Sequence, residues 1–571
     1  MMNKKLFLIP FIALIIASCG NKPSAPSSNA PSSDVSVSSE KSTSSKESSS
    51  SRESSKESSK ESSSSSEQSS SSEVSSSSEV SSSSEQPSSS SEAPISSSEP
   101  PISSSEPPSS SSSSSSSECI EEQGFVDLEL FALNDFHGSV EDSTNALGIS
   151  KTATLLKTYP TNVNNALYIS QGDMWQGSAA SNITRGKLVN EWMNSLGFTS
   201  MTVGNHEFDW STSYVKTNQA LATFPYLGIN VYDRTTNNRV DYLDASTIVE
   251  KNGAKIGIIG AIGDCYDSIS SSMVPDIYFV VGNELSTLVK NEAIRLKNEE
   301  HCDAVIYSVH DGDDRYDEFA NYDITISDYV DLVLEGHTHT GYVKTDSRGV
   351  YHVQSVGYNR TITYLDVTIN RGTNQLTVNS TKALWTNNYD YLDKDAQSEA
   401  ILAKYADEIS SSTDAIGYNS AYRNDAELTN KVAELYLQYG VDKWGANYDI
   451  VLGGGYLSTR QPNALSEGDV TYADLYALFP FDNDLVLCTI TGYNLKYKFF
   501  QTSNSYYHMA YTTYGQNLKN SSYVDYNATF YVVCDTYTSD YSSNGLTVVE
   551  RFSGFYARDM LAEYIAAGNW A

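Results

Sequence analysis

Cysteine is scarce in this chain: six in 571 residues, none in a C-x-x-C arrangement, which argues against a Cys-rich metal site and a small disulfide scaffold. Cations are scarce as well, with 37 Lys and Arg against 71 Asp and Glu and a pI near 4.5. Past residue 117 the balance is 29 basic to 58 acidic groups. A nucleic-acid groove needs the opposite, clustered Lys and Arg against phosphates, so no nucleic-acid partner is expected. Apolar runs of membrane-spanning length are missing too. Residues 6–17 form one of 12 residues, which as a helix would rise about 18 Å against a hydrocarbon core of about 30 Å.

That short run reads as an address. Lys4 and Lys5 precede it, and Ile16-Ala17-Ser18-Cys19 closes it in the manner of a bacterial lipobox, whose Cys is acylated and becomes the new N-terminus. Residues 1–18 are therefore expected to be a lipoprotein signal peptide. The mature chain is expected to be an extracytoplasmic monomer, held at the bacterial cell membrane by the lipid on Cys19. Residues 20–117 are nearly all Ser, Glu, Pro or Lys, with Glu67, Glu73, Glu79 and Glu85 six apart and Glu92, Glu99 and Glu106 seven apart. With almost nothing apolar to offset the entropy of ordering, 19–118 reads as a disordered tether, about 55 Å long as a coil. The five cysteines after Cys19 are odd in number, so at least one is unpaired or pairs between molecules.

The chemistry is concentrated between residues 125 and 340. Apolar, β-rich runs at 125–133, 166–170, 198–203, 304–309 and 330–334 each give way to polar residues and glycine. The sequences that follow them are Asn134-Asp135-Phe136-His137-Gly138, Gly172-Asp173, Gly204-Asn205-His206-Glu207-Phe208-Asp209, His310-Asp311-Gly312 and Gly336-His337-Thr338-His339. Helical patterns such as 151–159 and 284–298 lie between them, so the segment reads as repeated β-α units. Ligands collect at the carboxyl ends of strands in such sheets. Of only eight histidines, five fall in these loops. Imidazoles with carboxylates and one carboxamide suit Zn, Mn, Fe or Co better than Mg or Ca. Seven such groups are too many for one tetrahedral ion and suit two ions sharing an Asp. Two divalent ions about 3.5–4 Å apart can clamp a phosphate ester and activate a hydroxide for in-line attack. Their charge exceeds that of Asp135 and Asp173, so an anionic substrate can bind within an acidic protein.

The order of these motifs resembles the calcineurin-like metallophosphoesterases, and more closely the secreted 5'-nucleotidase and UDP-sugar hydrolase family, over about residues 125–571. The resemblance implies an α/β protein. A four-layer α-β-β-α metallophosphoesterase domain (119–385) would be joined by a helix (386–410) to a smaller α/β substrate-binding domain (411–571). It implies that Asp135, His137, Asp173 and His339 hold one ion and that Asp173, Asn205, His310 and His337 hold the other. His206 would stabilise charge or protonate the leaving oxygen, with Asp209 orienting it. The family often has Gln where His339 stands.

The C-terminal part departs further. It reads as a helix (425–439), a strand (448–452) and then Gly453-Gly454-Gly455, with no Lys-Ser or Lys-Thr to make a phosphate loop. The family's Gly-Gly-Gly-Ile-Arg segment has Leu457 in place of its Arg, with Arg460 three residues on, and Leu452 in place of the preceding Asn. Its Pro-Phe-Gly-Asn segment corresponds to Pro480-Phe481-Asp482-Asn483. By resemblance Arg423, Arg460 and Phe481 are substrate-binding candidates, and Tyr541 stands in for a missing second aromatic. The reading is a two-metal phosphoesterase acting on nucleotides. The alternatives are a phosphoesterase for cyclic nucleotides, UDP-sugars or non-nucleotide phosphates, and a catalytically dead surface binding protein, which would be expected to have lost ligands.

Overall fold

A computed structural model describes residues 124–312 and 325–571; the lipobox with Cys19, the tether and Cys119 lie outside them. The strand Phe125–Leu133 alternates its side chains between two cores. Val126, Leu128, Leu130 and Ala132 face a second sheet, while Phe131 and Leu133 face helices. Around it runs a six-stranded sheet in the order Gln375–Trp385, Thr361–Asn370, Phe125–Leu133, Ala166–Ser170, Ser200–Thr202, Tyr226–Leu227. Its partner sheet runs Tyr342–Thr345, Tyr351–Gln354, Leu332–Glu335, Ala304–His310, Ala254–Ile262, Ser246–Lys251. The cores between the sheets and outside each one make four layers, helix–sheet–sheet–helix. The strands that precede the polar loops run parallel within each sheet, so both sheets present their carboxyl ends together.

The helix Ala396–Ser410 follows, capped by Asp395, whose carboxylate accepts from Ser398 N at 2.9 Å. Ile401 enters the outer helical core, and Tyr405 donates to Glu191 at 2.9 Å. The C-terminal part is a five-stranded mixed sheet, in the order Tyr507–Tyr511, Ile450–Tyr456, Thr529–Asp535, Leu485–Thr491, Leu546–Phe552, packed on the helix Asp425–Trp444.

Two expectations shift here. The helix begun at Asp425 continues to Trp444, and the strand expected to end at 452 carries on through Gly453-Gly454-Gly455 to Tyr456. The glycines are strand residues because of what surrounds them. A Cβ on Gly453 would lie 2.3 Å from Leu437 N of the helix, and one on Gly454, at φ +124°, would lie 2.1 Å from His508 O. Cys265, Cys302, Cys488 and Cys534 are buried thiols, none of them in a disulfide. Among the described residues, no helix is long and apolar enough to cross a membrane.

Candidate functional site

The five strand ends converge. Asp135, His137, Asp173 and His339 bring one ligand atom each within 4.8 Å of one another, and so do Asp173, His310 and His337. Asp173 belongs to both groups. Asn205 joins the second, its Oδ1 lying 3.1 Å from His310 Nε2 and 3.0 Å from His337 Nδ1. Asp135, His137, Asp173, His337 and His339 all have positive φ, between 50° and 75°, a conformation that costs about 1–3 kcal/mol at a non-glycine residue and persists only where the surroundings impose it. In the first two loops backbone bonds impose it: Asp135 N donates to Gly172 O, His137 N to Asp173 O and Gly138 N to Met174 O, at 2.9–3.0 Å, while His337 N donates to Asp135 Oδ2 at 2.9 Å. Gly204 is required by close approach, since a Cβ there would meet Asp173 Oδ1 at 2.2 Å.

The donors are aimed. His137 Nδ1 bonds to Gln176 O at 2.9 Å and His310 Nδ1 to Gln171 O at 2.7 Å, which directs both Nε2 atoms inward. His137 Nε2 and His339 Nε2 face each other at 2.9 Å. Asp135 Oδ1 is buried without a well-formed hydrogen bond, the nearest ring nitrogen being His339 Nε2 at 3.2 Å. Converging nitrogens, an under-satisfied carboxylate oxygen and a shared Asp fit two cations.

Burial works to raise the Asp135 carboxyl, but the rings of His339 and His310 outweigh it and hold it at about 2. Asp173 is likewise held well below the usual range against burial, chiefly by His310 and His206. Burial and His339 push His137 down to about 3, and burial and His310 push His337 down to about 4. His310 moves the other way, to about 10, because Asp173 and Asp135 overcome its burial.

His206 stands beside this cluster. Its Nδ1 is 2.7 Å from Asp209 Oδ2, its backbone N donates to Asp173 Oδ1 at 2.8 Å, and its Nε2 lies 4.0 Å from Asp173 Oδ2. Burial would lower its pKa, but Asp209 and Asp173 raise it. Its ring stacks on Phe481 at 5.9 Å, and Arg460 Nη2 is 3.4 Å from Nε2.

A cleft of about 380 Å³ opens at this point, lined by Asp209 and Ser270 on one side and by Tyr456, Arg460, Phe481 and Tyr537 on the other. Arg460 and Phe481 are thus brought to the site. Arg423 and Tyr541 do not line this cleft: Arg423 lies over the Trp570 ring at 4.2 Å, and Tyr541 lines an adjoining cavity with Tyr456 and Tyr507.

Three contributors were not singled out from sequence. Glu207 accepts from Asp173 N, Met174 N and Gly204 N at 2.7–2.9 Å and so fastens two of the loops together. Burial and Asp173 lift its carboxyl to about 7, against the pull of these bonds. It lies inside a recognised motif, where an acid beside a histidine reads first as a ligand. Tyr358 stacks on His137 at 4.7 Å, and Tyr537 lines the cleft; both are drawn from 40 tyrosines with no local signal to mark them.

Comparison with known proteins agrees with this geometry. Residues 129–341 match the calcineurin-like phosphoesterase family and residues 410–549 the 5'-nucleotidase C-terminal domain. An apyrase of Tabanus yao is 25% identical over 415 residues, covering 64% of this chain and 72% of the relative. The protein UshA of Yersinia enterocolitica is 24% identical over 428 residues, covering 65% of this chain and 75% of UshA. The crystal structure of a 5'-nucleotidase precursor from Thermus thermophilus shares the fold, with a TM-score of 0.59 at 19% identity, covering 77% of this chain and 96% of that one. The chain thus carries a calcineurin-like phosphoesterase domain, of a family of metal-dependent phosphoesterases with a dinuclear divalent metal site, followed by a 5'-nucleotidase C-terminal domain.

Proposed function

We propose that this protein hydrolyses nucleoside phosphates outside the cytoplasm, in the manner of a 5'-nucleotidase. The observation that carries this reading is the pairing of two ligand clusters that share Asp173 with a cleft walled by both domains. Asp135, His137, Asp173 and His339 would hold one divalent ion, and Asp173, Asn205, His310 and His337 a second; their imidazole-rich donor set suits Mn, Zn, Co or Fe. Bound there, such ions would supply Lewis acidity and an activated water for attack on the phosphate.

The chain supplies the rest. His206, oriented by Asp209, meets the leaving oxygen with its Nε2 and stabilises charge or delivers a proton. Arg460, whose buried Nε has no protein partner, offers a donor to an anionic ligand. Phe481, Tyr456 and Tyr537 give the base aromatic walls, and the cleft volume is in the range of small-molecule sites, about 300–1,000 Å³. The lipobox and tether of the sequence support anchoring through Cys19.

The test is a substrate series on the purified chain with Mn, Co or Zn, spanning nucleoside 5'-monophosphates, cyclic nucleotides, UDP-sugars and an aryl phosphate. Preference for a nucleoside 5'-monophosphate is expected. Leu457 in place of the family's Arg, and Arg423 over Trp570 outside the cleft, favour a second reading in which a cyclic or sugar-linked phosphate is preferred. The same series separates the two.

A further inference from the structure

Asp482 occupies the position where the family segment has glycine, immediately after Phe481. Its Oδ2 lies 2.6 Å from Arg185 Nη2 of the phosphoesterase domain, and its Oδ1 accepts from Arg558 Nη2 of the C-terminal domain. Neither arginine is loose. Arg558 is 3% exposed, donates through Nη1 to Phe481 O at 2.9 Å and Phe479 O at 3.3 Å, and lies over Tyr476 at 4.0 Å. Arg185 follows the short helix Ala179–Ile183 at φ +51°, with its guanidinium 5.2 Å from the Trp210 ring and 5.7 Å from that of Tyr214.

These contacts close a ring around the site. His206 bonds to Asp209; Trp210, next in sequence, lies under Arg185; Arg185 pairs with Asp482; Phe481, its neighbour, stacks back on His206. Asp482 is the one link in that ring where the two domains meet through charge. We propose that Asp482 is a positioning residue, which sets Phe481 and Arg460 beside His206 and thereby determines preference for a nucleoside-bearing substrate. The inference rests on the proposed function for its substrate. A separate contact, Asp540 accepting from Ser270 Oγ at 2.9 Å and Ser272 N at 3.2 Å, joins the domains elsewhere and is untouched by changes at 482.

The experiment compares Asp482→Asn, Asp482→Gly, Arg185→Met and the Asp482→Asn/Arg185→Met double variant of the full chain, each checked for metal content. With a nucleoside 5'-monophosphate, each single variant should raise KM about tenfold, and the double variant should raise it no further, as for partners in one interaction. With an aryl phosphate kcat should be unchanged, and Asp482→Glu should restore part of the nucleotide KM. A second readout needs no substrate: carbethoxylation of His206, followed by peptide mass spectrometry, should be faster in Asp482→Asn because Phe481 no longer covers the ring. Unchanged nucleotide KM with unchanged His206 labelling, additive single effects, or equal losses on both substrates would overturn the assignment. If the wild-type chain prefers no nucleotide, the proposed function fails and the labelling rate alone decides the role of Asp482.

Discussion

Five of the seven clustered side chains around Asp173 sit on residues of positive φ, whereas of those lining the cleft beside Phe481 only Asn463 does. The first region takes its shape from backbone bonds between consecutive strand-end loops, the second from side chains on separate segments that meet across a domain boundary. A metal centre needs donors fixed to fractions of an ångström, and short connections from a rigid double sheet provide that. A nucleoside pocket needs shape and aromatic surface, which many arrangements of tyrosine and arginine can give. Changes at the metal centre should therefore abolish turnover of every substrate, and changes in the aromatic wall of the cleft should alter only which substrate is preferred.

The harshest test is Asp173→Ala. Loss of the shared ligand should remove both ions and lower turnover by about 10³-fold or more, while the C-terminal domain stays folded. Metal content by mass spectrometry with circular dichroism checks it, and a variant holding two ions at normal turnover would sink the two-cluster assignment. Next comes His206→Asn, which should keep both ions yet lower kcat by about 10²–10⁴-fold; lost metal would instead make His206 a ligand. Glu207→Gln keeps the size of the side chain but turns one acceptor oxygen into a donor facing backbone N–H groups. Activity or metal affinity should fall about 10–100-fold, as for groups that hold metal ligands in place, and isothermal titration with Mn would detect it. Mildest is Phe481→Ala. Stacking contributes about 1–3 kcal/mol per base in nucleic-acid binders, so KM for a nucleoside monophosphate should rise about tenfold with little change for an aryl phosphate. Equal losses on both substrates would erase the distinction between the two regions.

The same contrast explains what the sequence made legible. The strand ends at residues 133 and 170 could be placed because a β-rich run giving way to Asn134-Asp135 or Gln171-Gly172 changes both polarity and backbone preference at once. His137 and His310 each follow such a stop or form it, so their convergence could be reasoned from strand polarity alone. Gly453 to Gly455 could not be placed the same way. Three glycines in a row carry the signal of a loop, and only the backbone of the facing helix, 2.3 Å from a would-be Cβ, makes them a strand. Tyr537 reaches the cleft on a short helix after a core strand, an outcome of tertiary packing that its neighbours Thr536 and Thr538 do not encode. Glu207 was visible but its task was not, because two of its three partners are backbone N–H groups more than 30 residues away in sequence.

The left-handed residues at the metal centre carry one more consequence. At Asp135 and His137 that shape is held by amide-to-carbonyl bonds, Asp135 N to Gly172 O and His137 N to Asp173 O, which leave the ligand atoms of both side chains out of the main-chain network. The main chain of that loop can therefore keep its shape whether or not a cation sits against its side chains, and the loop is formed before it is loaded. An enzyme of this construction would take up whichever suitable divalent ion its surroundings supply, so the medium as well as the donor set would decide which ions it carries.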